Sequence, residues 1–350
     1  MRLKNAGLLA ALFLILCVSM FRPGLVRAFL RSVGASGYHL IKTIPIGGEG
    51  QWDYCIVDSE ARRVYVSHAT HVVVLDADTH SVVGDIPDTL GVHGIALARD
   101  LGRGFTSNGR ANTVTIFDLN SLKVISTVDT GGQNPDAIYY DAASKRVFAF
   151  NGRSGNATAI GAEDGKVVGM ISVGGKPEFA TGAGDGRLFV NIEDKSELVQ
   201  IDAQKLVVTN RWPLAPCEEP SGLAMDAKNR RAFAVCDNKL MAVVDTESGK
   251  VIATPAIGND PDSAGFDPDT HLAFSSNGGS GTLTVIREES PDRYSVVENV
   301  RTQKYARTMA IDFKTHNIFL PVAEFEGTTP PGARRPPMKP GSFSLLLVAK

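Results

Sequence analysis

Long stretches of helix-forming residues are missing from this chain, because 35 glycines and 18 prolines interrupt its 350 residues throughout. Their absence argues against a helical fold and for many short strands joined by tight turns. An excess of positive charge is missing too. The formal charge is −2, and it falls by four more if Arg2, Lys4, Arg22 and Arg27 leave with the first 28 residues. A mildly acidic surface repels a phosphate backbone, so no nucleic-acid partner is expected. Catalytic signatures are equally scarce. The sequence holds no G-x-S-x-G, no H-E-x-x-H and no Cys and His at a recognisable spacing, and "GGSG" and "GRSGN" read as turns between strands rather than phosphate-cradling loops. What is present is apolar material, 43% hydrophobic residues against 21% charged, enough for a substantial buried core.

One apolar run stands out. "AGLLAALFLILCVSMF", Ala6 to Phe21, follows Arg2 and Lys4 and precedes small residues at Ala28 and Ala35. This is the layout of a secretory signal peptide over residues 1–28, with cleavage as late as residue 35 as a variant. Export to the periplasm or out of the cell is the expectation, and no membrane span should remain after cleavage. The alternative is an uncleaved N-terminal anchor, for which the run falls short of the roughly 20 residues of a span. Leu16 stands before Cys17 where lipid attachment needs a small residue, so acylation is not expected.

The remainder repeats. An aromatic recurs in "RVYVS", "GRGFTSNG", "KRVFAFNG", "GRLFVNIE", "RRAFAVCD", "HLAFSSNG" and "HNIFLPVA", at Tyr65, Phe105, Phe148, Phe189, Phe233, Phe274 and Phe319. The spacings are 40, 43, 41, 44, 41 and 45 residues. Seven residues before it, Asp58, Asp141, Asp226, Asp267 and Asp312 open a turn whose backbone N–H groups a carboxylate can cap. A Gly/Asn/Asp-rich loop follows each aromatic, then an apolar run often ending in Asp ("VVVLD", "VTIFD", "LVQID", "MAVVD"), a short turn and a fourth run. Runs apolar on both faces need cover on both faces. Four strands per period of about 42, stacked around an axis, make an all-β, seven-bladed propeller of four-stranded antiparallel blades over residues 36–350. The last unit lacks a fourth strand, and "YHLIKTIPIG", Tyr38 to Gly47, matches the missing one, so the N-terminal strand is expected to complete blade seven and hide its edge.

The units "RRVYVSHATHVVVLDADTHSVV", "NPDAIYYDAASKRVFAFNG" and "PSGLAMDAKNRRAFAVCDN" resemble the YVTN repeats of the YncE-like seven-bladed propellers, over roughly Tyr38 to Lys350. The resemblance implies the same fold and an exported protein, in a family whose members are largely uncharacterised. The WD40 signature is absent, and two tryptophans cannot supply the repeated docking tryptophans of quinoprotein dehydrogenases.

Register then locates a candidate site. Five residues before the turn Asp, the start of each innermost strand carries Asp53, His93, Asp136, Glu178, Ser221, Asp262 and Arg307. A structural role alone would tolerate Gly, Ser or Ala there, yet four acids, a His and an Arg converge on one channel mouth. Crowded carboxylates raise one another's pKa or recruit a cation; the bland alternative is a wide, water-filled channel that solvates them. The loops between second and third strands open on the same face and offer Arg110, Arg153, Asn108, Asn151 and Asn277 as donors. His68, His71 and His93, brought together by the register, are candidate ligands for a divalent metal ion, although loop histidines are ordinarily just solvated. His39 falls on the closing strand, and His80, His271 and His316 fall on turns of the opposite face. The proline-rich insertion "EGTTPPGARRPPMKPG", residues 326–341, lies on the mouth side of blade seven. It reads as a lid bringing Arg334 and Arg335 toward the acids, or as a peptide-docking arm. In an oxidising compartment Cys217 and Cys236 are expected to pair across one end of blade five, leaving Cys55 a buried thiol.

The functional expectation is a monomeric binding module whose ligand, a small molecule, peptide or cell-envelope component, sits at the channel mouth. The alternative is a metal-assisted lyase or hydrolase using the same face.

Overall fold

Each turn carboxylate holds its hairpin shut. In the computed structural model, which describes residues 36–332 and 335–350, Asp58 accepts from the Ala61 N–H (3.0 Å), Asp141 from Ser144 (2.8 Å), Asp226 from Lys228 (3.0 Å), Asp267 from Asp269 (3.1 Å) and Asp312 from Lys314 (3.2 Å). These turns close five of the seven innermost strands, Cys55–Asp58, Pro135–Asp141, Pro220–Asp226, Pro261–Asp267 and Ala310–Asp312; the others are Val92–Ala98 in blade two and Pro177–Gly182 in blade four, where Gly182 stands in place of the Asp. In blade two a short 3-10 turn, Arg99–Leu101, takes the place of the Asp. The expected signal peptide and Arg334 lie outside the described residues.

The described residues form seven four-stranded antiparallel sheets, each running outward in sequence order except the last. There His39–Pro45 pairs antiparallel with Ser344–Ala349, from His39 opposite Ala349 to Pro45 opposite Ser344, and supplies the outer strand of the blade that ends the chain. The ring is therefore closed by its N-terminal strand. Tyr38 adds a hydrogen bond from its hydroxyl to the His316 carbonyl (3.0 Å), and Ser36 bonds to Glu298 of blade six.

The repeated aromatic explains why the sheets stack. Tyr65 packs with Ile95 and Phe117 of blade two, Phe148 with Leu188 and Val190 of blade four, Phe274 with Met309 and Ile311 of blade seven, and Phe319 with Val57 and Val64 of blade one. All seven aromatics are fully buried, so each blade drives one ring into the next. Truncating such a ring to alanine costs about 3–5 kcal/mol. Polar ties reinforce the same seams on the face carrying the turns. Arg62 donates to Asp312 (2.8 Å), Arg99 pairs with Asp58 (3.1 Å), His316 Nδ1 lies 2.8 Å from Asp267, and Arg146 donates to the Ala203 and Gln204 carbonyls (2.6 and 2.9 Å). His316, without a functional assignment from sequence, is a structural tie of this kind, while His271 meets Glu288 within blade six.

Cys217 and Cys236 are joined, with Cα atoms 5.7 Å apart, pinning the loop before the inner strand of blade five; Cys55 is a buried free thiol whose pKa burial raises. The proline-rich insertion leaves blade seven between Asn317–Val322 and Ser344–Ala349 as a hairpin arm. Its base is fastened by an antiparallel bridge between Phe325 and Met338, by Glu326 N–H to Pro337 O (3.0 Å) and by Lys339 N–H to Glu324 O (2.8 Å).

Candidate functional site

The innermost strands begin with a kink. In blades two to six the strand pairing slips just after its first residue, between Val92 and Ile95 in blade two and between Pro135 and Ile138 in blade three, for example. Such a bulge twists the strand and re-aims the side chain beside it. The residue at that point is His93, Asp136, Glu178, Ser221 or Asp262, while Asp53 and Arg307 precede shorter inner strands in blades one and seven. Hydroxyls of second strands fix the backbone here: Ser67 accepts from the Asp53 N–H (2.8 Å), Ser107 donates to the Asp136 carbonyl and Ser276 to the Arg307 carbonyl.

The ring is a connected charge network. Arg307 pairs with Asp262 and reaches Asp53 at 3.1 Å; Asp53 meets His93 Nδ1 at 2.5 Å; His93 Nδ1 lies 3.8 Å from Asp136. Lys176 clamps Glu178 at 2.5 Å and also pairs with Glu193. Ser221 takes no part, because its hydroxyl donates to the Pro261 carbonyl (2.8 Å). The side chains of Asp53, Asp136 and Glu178 are 14–16% exposed, so they sit largely withdrawn from bulk water at the mouth.

Burial and neighbours set the protonation. Burial would raise the Asp53 carboxyl, but the Arg307 charge and the His93 hydrogen bond overcome it and hold it low. Burial would lower His93; the Asp53 hydrogen bond and the Asp136 charge raise it to about 9, so it is an imidazolium at neutral pH. Asp136 is raised, by burial first and with His93 opposing. Glu178 is pushed up to about 8 by burial and by the Asp136 charge.

Below the ring the channel changes character. Tyr54 and Phe179 meet edge to face, centroids 5.0 Å apart, above an apolar cavity of about 400 Å³ lined by residues such as Ile56, Ile95, Leu223 and Phe266. A polar mouth thus sits on an aromatic floor. Neither Tyr54 nor Phe179 was singled out by counting, although each adjoins a ring position.

Several sequence expectations need correction. His68 and His71 do not join His93. His68 is buried and stacked on Phe343 (4.3 Å), with His71 at 5.0 Å on its other flank, and burial lowers its pKa to about 4. Gly48, at φ +83°, permits this, since a Cβ there would lie 2.6 Å from His68 Cε1. His93 instead turns into the ring, and Gly109 leaves room for it, a Cβ there falling 2.6 Å from Nε2. Asn108, Asn151 and Asn277 are not free donors either. Each is fully buried and hydrogen-bonded across to the third strand of its own blade, to Thr115 (2.8 Å), Thr158 (2.9 Å) and Thr284 (2.9 Å), because a buried amide must be paired. Arg110 and Arg153 are exposed and face a separate cleft with Asn112, Gln133 and Asn134, outside the ring.

The metal expectation also moves. Among the described residues the cluster with metal-ligand spacing is Asp53, His93 and Asp136, whose ligand atoms lie within 4.8 Å of one another. With Asp53 and His93 Nδ1 at hydrogen-bond distance, a proton joins them in this geometry; an ion would have to part the pair.

No protein-family model and no curated protein matches the sequence. Solved structures do match in fold. The U3-55K structure aligns with a TM-score of 0.74 at 8% identity, covering 88% of this chain and 98% of that one, and the RRP9 WD40 repeats align with a TM-score of 0.74 at 8% identity, covering 88% and 97%. Kuenenia stuttgartiensis hydrazine synthase aligns with a TM-score of 0.66 at 15% identity, covering 81% of this chain and 95% of that one. At such identities the likeness extends to architecture alone, and that architecture is a seven-bladed β-propeller.

Proposed function

We propose that this chain is an exported binding module of the YncE-like kind, whose ligand seats on the charged mouth of the ring and carries positive charge. One observation carries the reading: four half-buried carboxylates, Asp53, Asp136, Glu178 and Asp262, converge there against two ring cations, His93 and Arg307. Asp136 and Glu178, the latter also held by Lys176, are raised by burial first and by a neighbouring Asp charge next, so a cationic ligand relieves a crowding already present. β-Propellers serve generally as interaction scaffolds, and the apolar run behind Arg2 and Lys4 supports export. The ligand is a small molecule, peptide or cell-envelope component bearing amines.

A second reading, a metal-assisted lyase or hydrolase, draws on the Asp53, His93 and Asp136 cluster. Thermal-shift titration of the purified protein separates the two, with spermidine as cationic probe, Mg²⁺, Mn²⁺ and Zn²⁺ as metal probes, and glutamate as anionic control. Stabilisation by spermidine that disappears in D136N and E178Q supports the binding module. Stoichiometric stabilisation by a metal, lost in the same variants, transfers the site to the second reading. Stabilisation by glutamate alone overturns both.

A further inference from the structure

The proline-rich arm delivers one side chain to the mouth, and its surroundings are specific. The Arg335 guanidinium carbon lies 5.7 Å from the Phe325 ring centroid, 5.9 Å from that of Tyr305 and 6.0 Å from that of Trp52. The three rings form one cluster, Tyr305 and Phe325 at 4.5 Å and Trp52 and Phe325 at 6.0 Å. Trp52 adjoins ring residue Asp53, and Tyr305 precedes Arg307 by two residues, so this box stands at the edge of the charged mouth.

Its chemistry is that of a cation receptor. Aromatic faces attract a guanidinium or an alkylated ammonium through their quadrupoles, the more so when water is partly excluded. Asp53 and Asp260 add negative potential at the same point. A strongly hydrated ammonium gains less there, because the ring faces offer few hydrogen-bond acceptors to replace its water. The Trp52 indole N–H is buried without an acceptor, which leaves the box one unsatisfied donor.

Arg335 occupies the box on weak terms. Its half-buried guanidinium makes no hydrogen bond or ion pair with described residues, and the Arg307 charge opposes it. The arm is fastened at its base, by Phe325 with Met338 and Glu324 with Lys339, rather than through Arg335. Removing this side chain from the box therefore breaks no backbone pairing.

We propose that Trp52, Tyr305 and Phe325 form a binding site for a guanidinium or quaternary ammonium group of an incoming ligand, and that Arg335 holds the site as an internal stand-in until that group displaces it. The site deepens the binding-module reading and rests on it for the face used, but not for the ring acids.

Calorimetric titration with N-acetyl-arginine amide and with tetramethylammonium tests it, using wild type, R335A and R335Q, each checked by its melting temperature. Vacating the box should improve affinity for both probes at least tenfold in R335A and R335Q. The gain should vanish when Y305L or F325L, which keep bulk and remove the ring, is added. Equal affinities in wild type and both Arg335 variants overturn the proposal, as does a gain that survives Y305L and F325L. Spermidine stabilisation sensitive to D136N but blind to Y305L would leave the ring reading standing if the box fails; a box that binds tetramethylammonium while D136N changes nothing would do the reverse.

Discussion

The two ends of this propeller use the same residue types for opposite ends. On the turn-bearing end, acids, arginines and histidines recur at fixed positions, and the turn Asp residues, Arg62, Arg99, Arg146 and His316 each find a backbone N–H, a carbonyl or a partner on the next blade. Asp312, 1% exposed, accepts from Arg62, the Lys314 N–H and Thr315, and Asp267 repeats the plan with His316 in place of Arg62. On the mouth end the equivalent position changes identity in almost every blade, and the charges do not balance. Repetition of a polar residue marks a structural tie shared between blades; its variation at a repeated position is the pattern on which the proposed binding reading rests.

Breaking the frame common to both ends should have the largest effect. A chain starting at Gly48 lacks His39–Pro45 and leaves Ser344–Ala349 as an open edge, so it should aggregate or melt far below the parent. Full retention of the melting temperature in that truncation would remove the closing strand from the stability argument. Next, D312A should cost roughly 3–5 kcal/mol in urea unfolding, because it strands Arg62 and the turn N–H groups while leaving spermidine binding at the opposite end intact. Within the mouth the signs should divide. R307A should cost about 2 kcal/mol by leaving Asp53 and Asp262 without their guanidinium, whereas D136N and E178Q should stay within about 0.5 kcal/mol of wild type or gain, yet lose the cationic probe. Equal losses for all three would make the ring a structural tie like its counterpart.

The smallest effect is a pH trend. His93 is raised from 6.5 to about 9 on folding, so its stabilisation is complete below pH 6.5 and disappears as pH rises through 9. Glu178, raised from 4.5 to about 8, acts in the same direction, because the folded state binds the extra proton across that window. The melting temperature should fall by roughly 2–4 °C between pH 6.5 and 9.5 and fall less in H93Q. A rise over that interval contradicts the assigned protonation.

Much of this was legible in the residues. The aromatic period located seven blades, the missing fourth strand called for Tyr38 to Gly47, and counting back from the turn Asp found the members of the ring. Side-chain direction was not legible. Asn108 and His68 sit in loop-like sequence, but a one-residue difference in register turns them into the blade, where burial dictates their partners. The aromatic box was out of reach for another reason: Trp52 comes from the start of the first blade while Tyr305 and Phe325 come from the last, so no local pattern joins them until the ring closes.

That closure makes the fold a test of its own completeness. The strand His39–Pro45 is made before every other strand of the propeller and has no partner until Ser344–Ala349 follows. Until blade seven is made, blade one lacks Phe319 and Trp52 lacks Phe325. A chain stopped after several blades would keep those blades yet expose two raw edges and half of the proposed aromatic box, the kind of surface on which quality-control proteases and chaperones act. Completion of the proposed aromatic box and closure of the ring thus come in the same late stage of synthesis.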